Sequence, residues 1–369
     1  MTPLLFSPLS LGPVTVPNRI AIAPMCQYSA DDGSMTDWHL QHIMRMGMSG
    51  CGLVIVEATA VERRGRITHG CVGLYSDANE RAAKRVIDAA KAVALPGTVF
   101  GVQLAHAGRK ASAQRPWEGA LALAPEEDAW PTIGPSALPF GAGWHTPHAM
   151  TEEDIQGVIT HFVAAAQRAV RVGYEVLELH MAHGYLLHSF CSPVSNQRHD
   201  AWGGSLEKRL ALPLAVMKAV RAAVPKSIAV GARITGTDWM DGGMTIEDAI
   251  VLAKGLRALD GAYVCVSSGA AAADVRIPVG PLYQVPLAEK IKKATGIVTR
   301  AVGLITTAQE AEGVLQDGKA DQIAVARAIL DNPHWGLHAA DALGVTLPRV
   351  PPYDRSSPAK WPGARVNRG

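Results

Sequence analysis

Short apolar runs alternate with amphipathic helical patterns along nearly the whole chain, and this alternation constrains the fold more than any other feature. Most of the runs are apolar throughout, as expected of strands whose two faces are both covered by helices. The pattern predicts eight buried parallel strands. They cover residues 19–23, 53–58, 98–104, 176–180, 228–234, 262–267, 296–301 and 322–326.

The helical patterns between these runs begin with N-terminal capping signals. Residues 151–172 carry apolar residues at helical spacing behind Thr151-Glu-Glu-Asp154, which has the spacing of a capping box. Thr245-Ile-Glu-Asp248 and Thr307-Ala-Gln-Glu310 repeat that start. A strand, a loop and a capped helix therefore form a repeating unit. Further helices are predicted at residues 37–49, 77–94, 205–223, 285–294 and 333–343.

This repeat builds either an open doubly wound sheet or a closed (β/α)8 TIM barrel. The sequence contains no strand–G-x-G-x-x-G–helix unit, and polar residues follow strand ends all along the chain, as in barrel active sites. Both observations favour the barrel. We expect one domain over residues 1–349, with a capping insertion at about 105–150 after strand 3 that holds a small hairpin. An extended C-terminal tail at 350–369 follows it.

Charge and cysteine content narrow the range of possible functions and partners. A formal net charge of +2 predicts no electrostatic attraction to nucleic acid or to an anionic membrane. No segment approaches the roughly 18 apolar residues of a membrane span. The 5 cysteines are scattered without a C-x-x-C pair, which argues against a disulfide framework and against a zinc or iron–sulfur site. We expect a cytoplasmic protein whose partner is a small molecule.

The densest group of titratable side chains follows the fourth predicted strand. His180 ends that strand, and His183 and Tyr185 lie on a turn that Gly184 loosens. A structural histidine is the alternative for either residue taken alone. A zinc site with His188 is another alternative, but no H-E-x-x-H helix or suitably placed carboxylate accompanies it. Two histidines beside a tyrosine at a strand end favour chemistry.

A closed barrel would bring polar residues from other strand ends to the same pocket. They are Cys26, Tyr28, Glu57, Thr59, Gln103, His106, Arg233, Ser267 and Ser268. Gln103 and Arg233 lie in apolar strands, where an unpaired polar group costs several kcal/mol. Each therefore needs a partner, and we expect Glu57 to be the internal partner of one of them. Cys26, taken alone, is better explained as a small core residue.

The loops after strands seven and eight predict a phosphate site. In barrels of this kind these loops often bind a phosphate through backbone N–H groups and a short helix. Gly303, in Val302-Gly303-Leu304, supplies a backbone position without a Cβ, and Arg327 supplies a positive charge.

Several ordered motifs together resemble those of the old yellow enzymes, which are FMN-dependent ene-reductases, and within them the thermophilic-like bacterial branch. The resemblance covers nearly the whole chain. It implies a non-covalent FMN across the barrel mouth, with NADPH or NADH as the electron donor. The motifs are Ala23-Pro-Met-Cys-Gln-Tyr28, Gln103-Leu-Ala-His-Ala-Gly108, His180-x-x-His183-Gly-Tyr185 and Val302-Gly-Leu304.

The resemblance also implies the residues that hold the cofactor. Gln103 would bond the pyrimidine edge of the flavin, and Arg233 would face N1, where negative charge gathers in reduced flavin. Cys26 would tune the reduction potential. The backbone at Gly303 and Arg327 would hold the phosphate. The full implied set is Ala23, Pro24, Met25, Cys26, Ala58, Gln103, Arg233, Gly303, Leu304, Ala326 and Arg327.

In the implied reaction, hydride passes from flavin N5 to the β-carbon of an α,β-unsaturated carbonyl compound. His180 and His183 would donate hydrogen bonds to the carbonyl oxygen, where charge builds up. Tyr185 would protonate the α-carbon, and Tyr28 would add a further hydrogen bond to the oxygen. No metal is implied. The substrates would be enones and enals.

The resemblance further implies a homodimer or homotetramer in which the tail completes a neighbouring site. Arg355, in Tyr353-Asp-Arg355, would reach the neighbouring subunit's pocket, and Trp361 would help to form the same wall. A purely structural tail is the alternative.

The residues alone also leave a second kind of function open. A flavin-free phosphate-binding TIM-barrel lyase or isomerase could use the same histidines and tyrosine as acid and base. Whether the purified protein contains bound FMN would distinguish the two functions.

Overall fold

The computed structural model describes residues 2–365 and contains a closed parallel barrel. Its strands in chain order are β1 (Leu9–Leu11), β2 (Val14–Val16), β3 (Ile20–Ile22), β4 (Leu53–Ala60), β5 (Val99–Ala105), β6 (Ile133–Gly134), β7 (His148–Ala149), β8 (Val176–Met181), β9 (Ala229–Thr235), β10 (Val264–Ser267), β11 (Thr299–Ala301) and β12 (Gln322–Val325). Strands β3, β4, β5 and β8 to β12 pair in parallel in chain order, and β12 pairs with β3. The predicted closed barrel is confirmed, and each of its strands falls on a predicted apolar run.

Helices surround the barrel, and three of them begin at the predicted caps. The side-chain oxygens of Thr151, Thr245 and Thr307 accept hydrogen bonds from backbone N–H groups three residues later. The predicted helix at 205–223 is divided at Leu210 into two helices. The helices are α1 (Asp37–Gly47), α2 (Asp77–Val93), α3 (Glu152–Val172), α4 (Leu186–Cys191), α5 (Leu206–Arg209), α6 (Ala211–Ala223), α7 (Ile246–Ala258), α8 (Val285–Thr295), α9 (Ala308–Gln316), α10 (Arg327–Asp331) and α11 (Trp335–Ala342).

Alternate residues of each barrel strand face the interior, because successive side chains of a strand point to opposite faces. In β4, Leu53 and Ile55 belong to the inner apolar cluster, whereas Val54 and Val56 pack in the outer cluster with the helices. Leu11 and the other apolar residues of the β1–β2 hairpin join the inner cluster. The lower interior is therefore a packed apolar core.

The capping insertion and the tail differ in detail from the expectation. Strands β6 and β7 of the insertion pair in parallel and are not a hairpin. Within residues 105–150, the antiparallel contact of the insertion is a single bridge between Ala113 and Ala122. The tail is not extended throughout, because it forms 3-10 helices at Pro351–Ser356 and Pro362–Arg365. Proline fixes φ near −65°, which suits a 3-10 helix as well as an extended chain. Residues 366–369 of the predicted tail lie outside the described residues.

Three negative findings hold for residues 2–365. No helix there is long and apolar enough to cross a membrane. All 5 cysteines have free thiols. No group of three or more His, Cys, Asp or Glu side chains is placed to hold a metal ion.

Candidate active site

The turn between β8 and α4 brings three polar rings together. The ring centroids of His180 and His183 are 5.2 Å apart, and those of His180 and Tyr185 are 4.9 Å apart. His183 has φ 62° and Gly184 has φ 74°, so two successive residues adopt the left-handed conformation. That conformation is unfavourable for a residue with a Cβ, so the surrounding structure must impose it on His183.

Polar contacts from other elements hold this turn in place. Lys110 Nζ donates to the His183 carbonyl oxygen at 2.7 Å, and the His183 N–H donates to Thr235 Oγ1 at 3.2 Å. The Gly184 N–H donates to His188 Nδ1 at 2.8 Å. His188 Nδ1 is therefore an acceptor, and Nε2 carries the hydrogen that faces Asp238 Oδ1 at 3.1 Å. His188 thus holds the turn through its contact with the Gly184 N–H. These contacts do not support His188 as a zinc ligand.

Burial and nearby positive charge keep both active-site imidazoles neutral. The pKa values of His180 and His183 lie well below the ordinary value, first because of burial and then because of the charges of Arg233 and Lys110. His180 Nδ1 accepts from the Ala182 N–H at 3.3 Å, so its hydrogen is on Nε2. Burial also raises the pKa of Tyr185, which keeps its hydroxyl protonated. His180 and Tyr185 are therefore neutral hydrogen-bond donors, and His183 Nε2 lies 2.7 Å from Ser267 Oγ.

Arg233 is buried without a partner for its charge. It lies opposite His180 in the β8–β9 register and is 9% exposed. Its Nε has no hydrogen-bond partner, and no carboxylate within residues 2–365 forms an ion pair with it. A buried unpaired guanidinium is costly. Arg233 therefore requires an electron-rich or anionic ligand.

A cavity of about 250 Å³ extends from Arg233 to the loops after β11 and β12. Gly303 has φ 115°, and a Cβ there would lie 2.8 Å from Gln284 Nε2. Only glycine leaves this space open. The structure thus brings the four residues predicted to hold a phosphate to the same cavity as Arg233. They are Gly303, Leu304, Ala326 and Arg327.

Gln103 has a different partner from the one expected. Its Nε2 donates to Glu178 Oε1 at 2.8 Å, because β5 and β8 place these two residues side by side. The expectation that Glu57 would pair with Gln103 or Arg233 was wrong. Glu57 accepts from the Gln27 N–H at 3.0 Å and lies 3.4 Å from His39 Nε2. Glu57 therefore holds the loop after β3.

That loop carries Cys26 and Tyr28 to the barrel mouth, after Ala23, Pro24 and Met25. Contact with the Cys71 thiol and burial raise the pKa of Cys26, so its thiol is neutral and a poor nucleophile. Tyr28 has φ 52°, and its carbonyl oxygen accepts from Arg115 Nε at 3.1 Å. Its ring meets the exposed ring of Trp117 edge-on at 5.9 Å. The cap therefore contributes to this side of the mouth.

A β-bulge shapes the neighbouring strand, β4. The β4–β5 register shifts between Val56 and Ala58, so that Ala58 lies beside Gln103. Bulges of this kind re-aim side chains near active sites. Ala58 also lines a small cavity that reaches Tyr185.

Two predicted site residues lie elsewhere in the single chain. Arg355 is exposed, and Trp361 is 44% exposed and borders a cavity of about 280 Å³ beside α11. In the described part of this chain, neither residue lines the cavity at the barrel mouth.

The sequence did not single out Lys110 or Asp238 as site residues. Lys110 lies just beyond the Gln103–Gly108 motif, which is a signal that could have identified it. Asp238 has no such signal, because its relation to the His183–Tyr185 turn depends on the path of the chain after β9.

Known proteins are similar in sequence to this chain over nearly its whole length. The model of the NADH:flavin oxidoreductase / NADH oxidase family matches residues 4–344. An NADH:flavin oxidoreductase of Gibberella zeae is 42% identical over 360 residues, which is 93% of this chain and 86% of that protein. An NADPH dehydrogenase of Listeria innocua is 40% identical over 354 residues, with 95% and 98% of the two chains covered.

Solved structures show the same barrel. Morphinone reductase superposes with a TM-score of 0.76 at 28% identity and covers 96% of this chain and 93% of its own. A 2-naphthoyl-CoA reductase complex gives a TM-score of 0.82 at 23% identity, a similarity that shows the fold alone. The chain spans about half of that larger protein, 52% of its length.

Proposed function

Because this chain belongs to the NADH:flavin oxidoreductase / NADH oxidase family, the family of the old yellow enzymes, we propose that it reduces the carbon–carbon double bond of α,β-unsaturated carbonyl compounds. The chain is an FMN-dependent NAD(P)H oxidoreductase of old yellow enzyme type, as the sequence motifs predicted. The flavin-free lyase or isomerase is thereby excluded.

The unpaired guanidinium of Arg233 is the observation that carries the proposal. FMN, when bound, accepts hydride from a nicotinamide and passes it to a substrate. Arg233 would neutralise the negative charge that the reduced flavin ring acquires, and Gln103 would bond its pyrimidine edge. Backbone N–H groups at Gly303, Leu304, Ala326 and Arg327 would hold the phosphate. Ala23, Pro24, Met25, Cys26 and Ala58 would contact the ring system.

The three rings of the β8–α4 turn would handle the carbonyl substrate. Neutral imidazole N–H groups of His180 and His183 would donate to its oxygen, and Tyr28 would add a third hydrogen bond. The Tyr185 hydroxyl, kept protonated by burial, would deliver the proton to the α-carbon. The small partners are thus a nicotinamide donor and an enone or enal.

Anaerobic half-reactions test the proposal. NADPH should reduce the flavin of the purified holoenzyme, and 2-cyclohexen-1-one should reoxidise it with formation of the saturated ketone. A flavin that NADPH reduces but that no enone or enal reoxidises would contradict the proposed substrate class and leave the family assignment intact.

Changing Tyr185 to Phe is expected to slow enone-driven reoxidation by about tenfold, and to affect flavin reduction by NADPH much less. The loss is smaller than the roughly 10²–10⁴ that a general acid contributes, because water can supply the proton in its place. Stopped-flow absorbance separates the two steps. Tyr174→Phe, which removes another buried hydroxyl, should leave both rates unchanged; equal losses in both steps of Tyr185→Phe would argue against a proton donor.

The pH dependence of reoxidation should show no ordinary histidine titration. A lowered pKa means that the neutral imidazole persists as the pH falls through 6.5, the ordinary value. The rate with an enone should therefore stay level between about pH 6 and 8 and change only at lower pH. A one-proton transition centred near pH 6.5 would show that burial and Arg233 do not keep His180 and His183 neutral.

We also propose that Arg355 and Trp361 act in the site of a neighbouring subunit in a homodimer or homotetramer. Their exposure in the single chain supports this placement. Sedimentation of the holoenzyme tests it, since a monomer at working concentrations would leave the tail without a second site to complete.

A further inference from the structure

A buried ion pair lies inside the barrel and takes no part in the proposed chemistry. Glu178 and Arg300 are 0% and 1% exposed, and Arg300 Nη1 donates to Glu178 Oε2 at 2.8 Å. Tyr263 donates its hydroxyl to the same oxygen at 3.0 Å. Arg300 Nε donates to Gln322 Oε1 at 2.7 Å. Residues of β8, β11 and β12, together with Tyr263 just before β10, thus form one polar network.

Stability alone is a weak explanation for this pair. Replacing a buried ion pair by apolar residues of similar volume is often neutral or stabilising. The adjoining part of the inner cluster is apolar, with Val99, Val176 and Ala229. The pair therefore calls for a role beyond packing.

The other carboxylate oxygen contacts a proposed cofactor residue. Gln103 Nε2 donates to Glu178 Oε1 at 2.8 Å, and both side chains are buried. A carboxylate bound to a guanidinium only accepts hydrogen bonds, so the Gln103 amide must direct its NH2 group to Glu178. Its carbonyl oxygen then points away. Within residues 2–365, that oxygen forms no hydrogen bond.

We propose that Glu178, held by Arg300 and Tyr263, is a positioning residue that turns the Gln103 carbonyl oxygen towards FMN. Gln103 then presents an acceptor, which matches the N3–H donor of the pyrimidine edge. Without the carboxylate, the amide could flip and place its NH2 group against that N–H. This inference rests on the proposed placement of Gln103 beside the cofactor.

Glu178→Gln tests the proposal because it keeps the shape and removes the obligate acceptor. The dissociation constant for FMN should rise about tenfold, as expected for loss of one hydrogen bond. The midpoint potential of the bound flavin should rise, since removing a negative charge nearby favours the reduced form. Glu175 lies just before the same strand and pairs with Lys91 at 3.5 Å near the surface. Glu175→Gln should change neither quantity.

A double-mutant cycle separates positioning from general packing. In a Gln103→Leu background, Glu178→Gln should not weaken FMN binding further, because both changes remove one interaction. Additive losses would overturn the proposal, as would an unchanged dissociation constant and potential in Glu178→Gln. If Gln103→Leu itself binds FMN with normal affinity, the proposed placement of Gln103 beside the cofactor is wrong.

A second variant tests the proposal if Glu178→Gln fails to fold. Glu178→Gln leaves the Arg300 guanidinium buried without a carboxylate, which can destabilise the barrel. Glu178→Gln combined with Arg300→Met removes both charges, and it carries the same expected loss of FMN affinity. These readouts involve no enone, so failure of the proposed substrate class would not affect them.

Discussion

Replacing His180 with alanine is expected to slow enone-driven reoxidation of the flavin by about 10²–10³, and His183→Ala should do the same. This is the usual loss for one donor to a developing oxyanion. Each variant should also bind a phenol such as 4-hydroxybenzaldehyde more weakly, because the phenolate oxygen takes the place of the substrate oxygen. Stopped-flow kinetics and spectral titration measure the two effects.

The exposed His199 provides a matched control, since His199→Ala removes an imidazole outside the site. Its rates should equal those of the unchanged protein. If His180→Ala bound the phenol normally and lost only stability, the histidine would be structural, the alternative that the sequence left open.

Replacing Arg233 with methionine is expected to raise the FMN dissociation constant by about 10–100-fold. That range corresponds to the loss of hydrogen bonds to a charged group. The midpoint potential should fall, because the guanidinium opposite His180 in the β8–β9 register no longer stabilises the reduced ring. Flavin reduction by NADPH should slow accordingly. Equilibrium titration of the apoprotein and spectroelectrochemistry measure these changes.

Arg233→Lys distinguishes charge from shape. It keeps the positive charge but loses the planar fork of donors, so its potential should be closer to that of the unchanged protein than that of Arg233→Met. A methionine variant that holds FMN with normal affinity and potential would show that the buried guanidinium serves another ligand.

The order of elements was predictable because it depends on local signals. Apolar runs and threonine caps at Thr151, Thr245 and Thr307 mark strands and helix starts within a few residues. The parallel β6–β7 pair and the 3-10 turns of the tail were missed, because proline and glycine are compatible with several backbone conformations.

Side-chain partners inside the barrel were harder to predict from the sequence. Glu57 appeared as the partner of Gln103 or Arg233 because all three interrupt apolar strands. The β-bulge at Val56/Ala58 and the Gln27 N–H gave Glu57 another role. Which polar groups meet depends on the stagger of adjacent strands, and a change of one residue in register moves a side chain to the other face.

The sequence by itself determined the eight-fold strand and helix repeat, the strand ends that carry polar residues, and the family motifs. Only the tertiary structure decided that Arg233 is left without a counter-charge, that Glu178 holds Gln103, and that Lys110 and His188 brace the strained turn at His183. The reason is physical. Propensity and periodicity act over neighbouring residues, whereas hydrogen-bond partners are set by barrel closure, which brings together side chains from strands far apart in the chain.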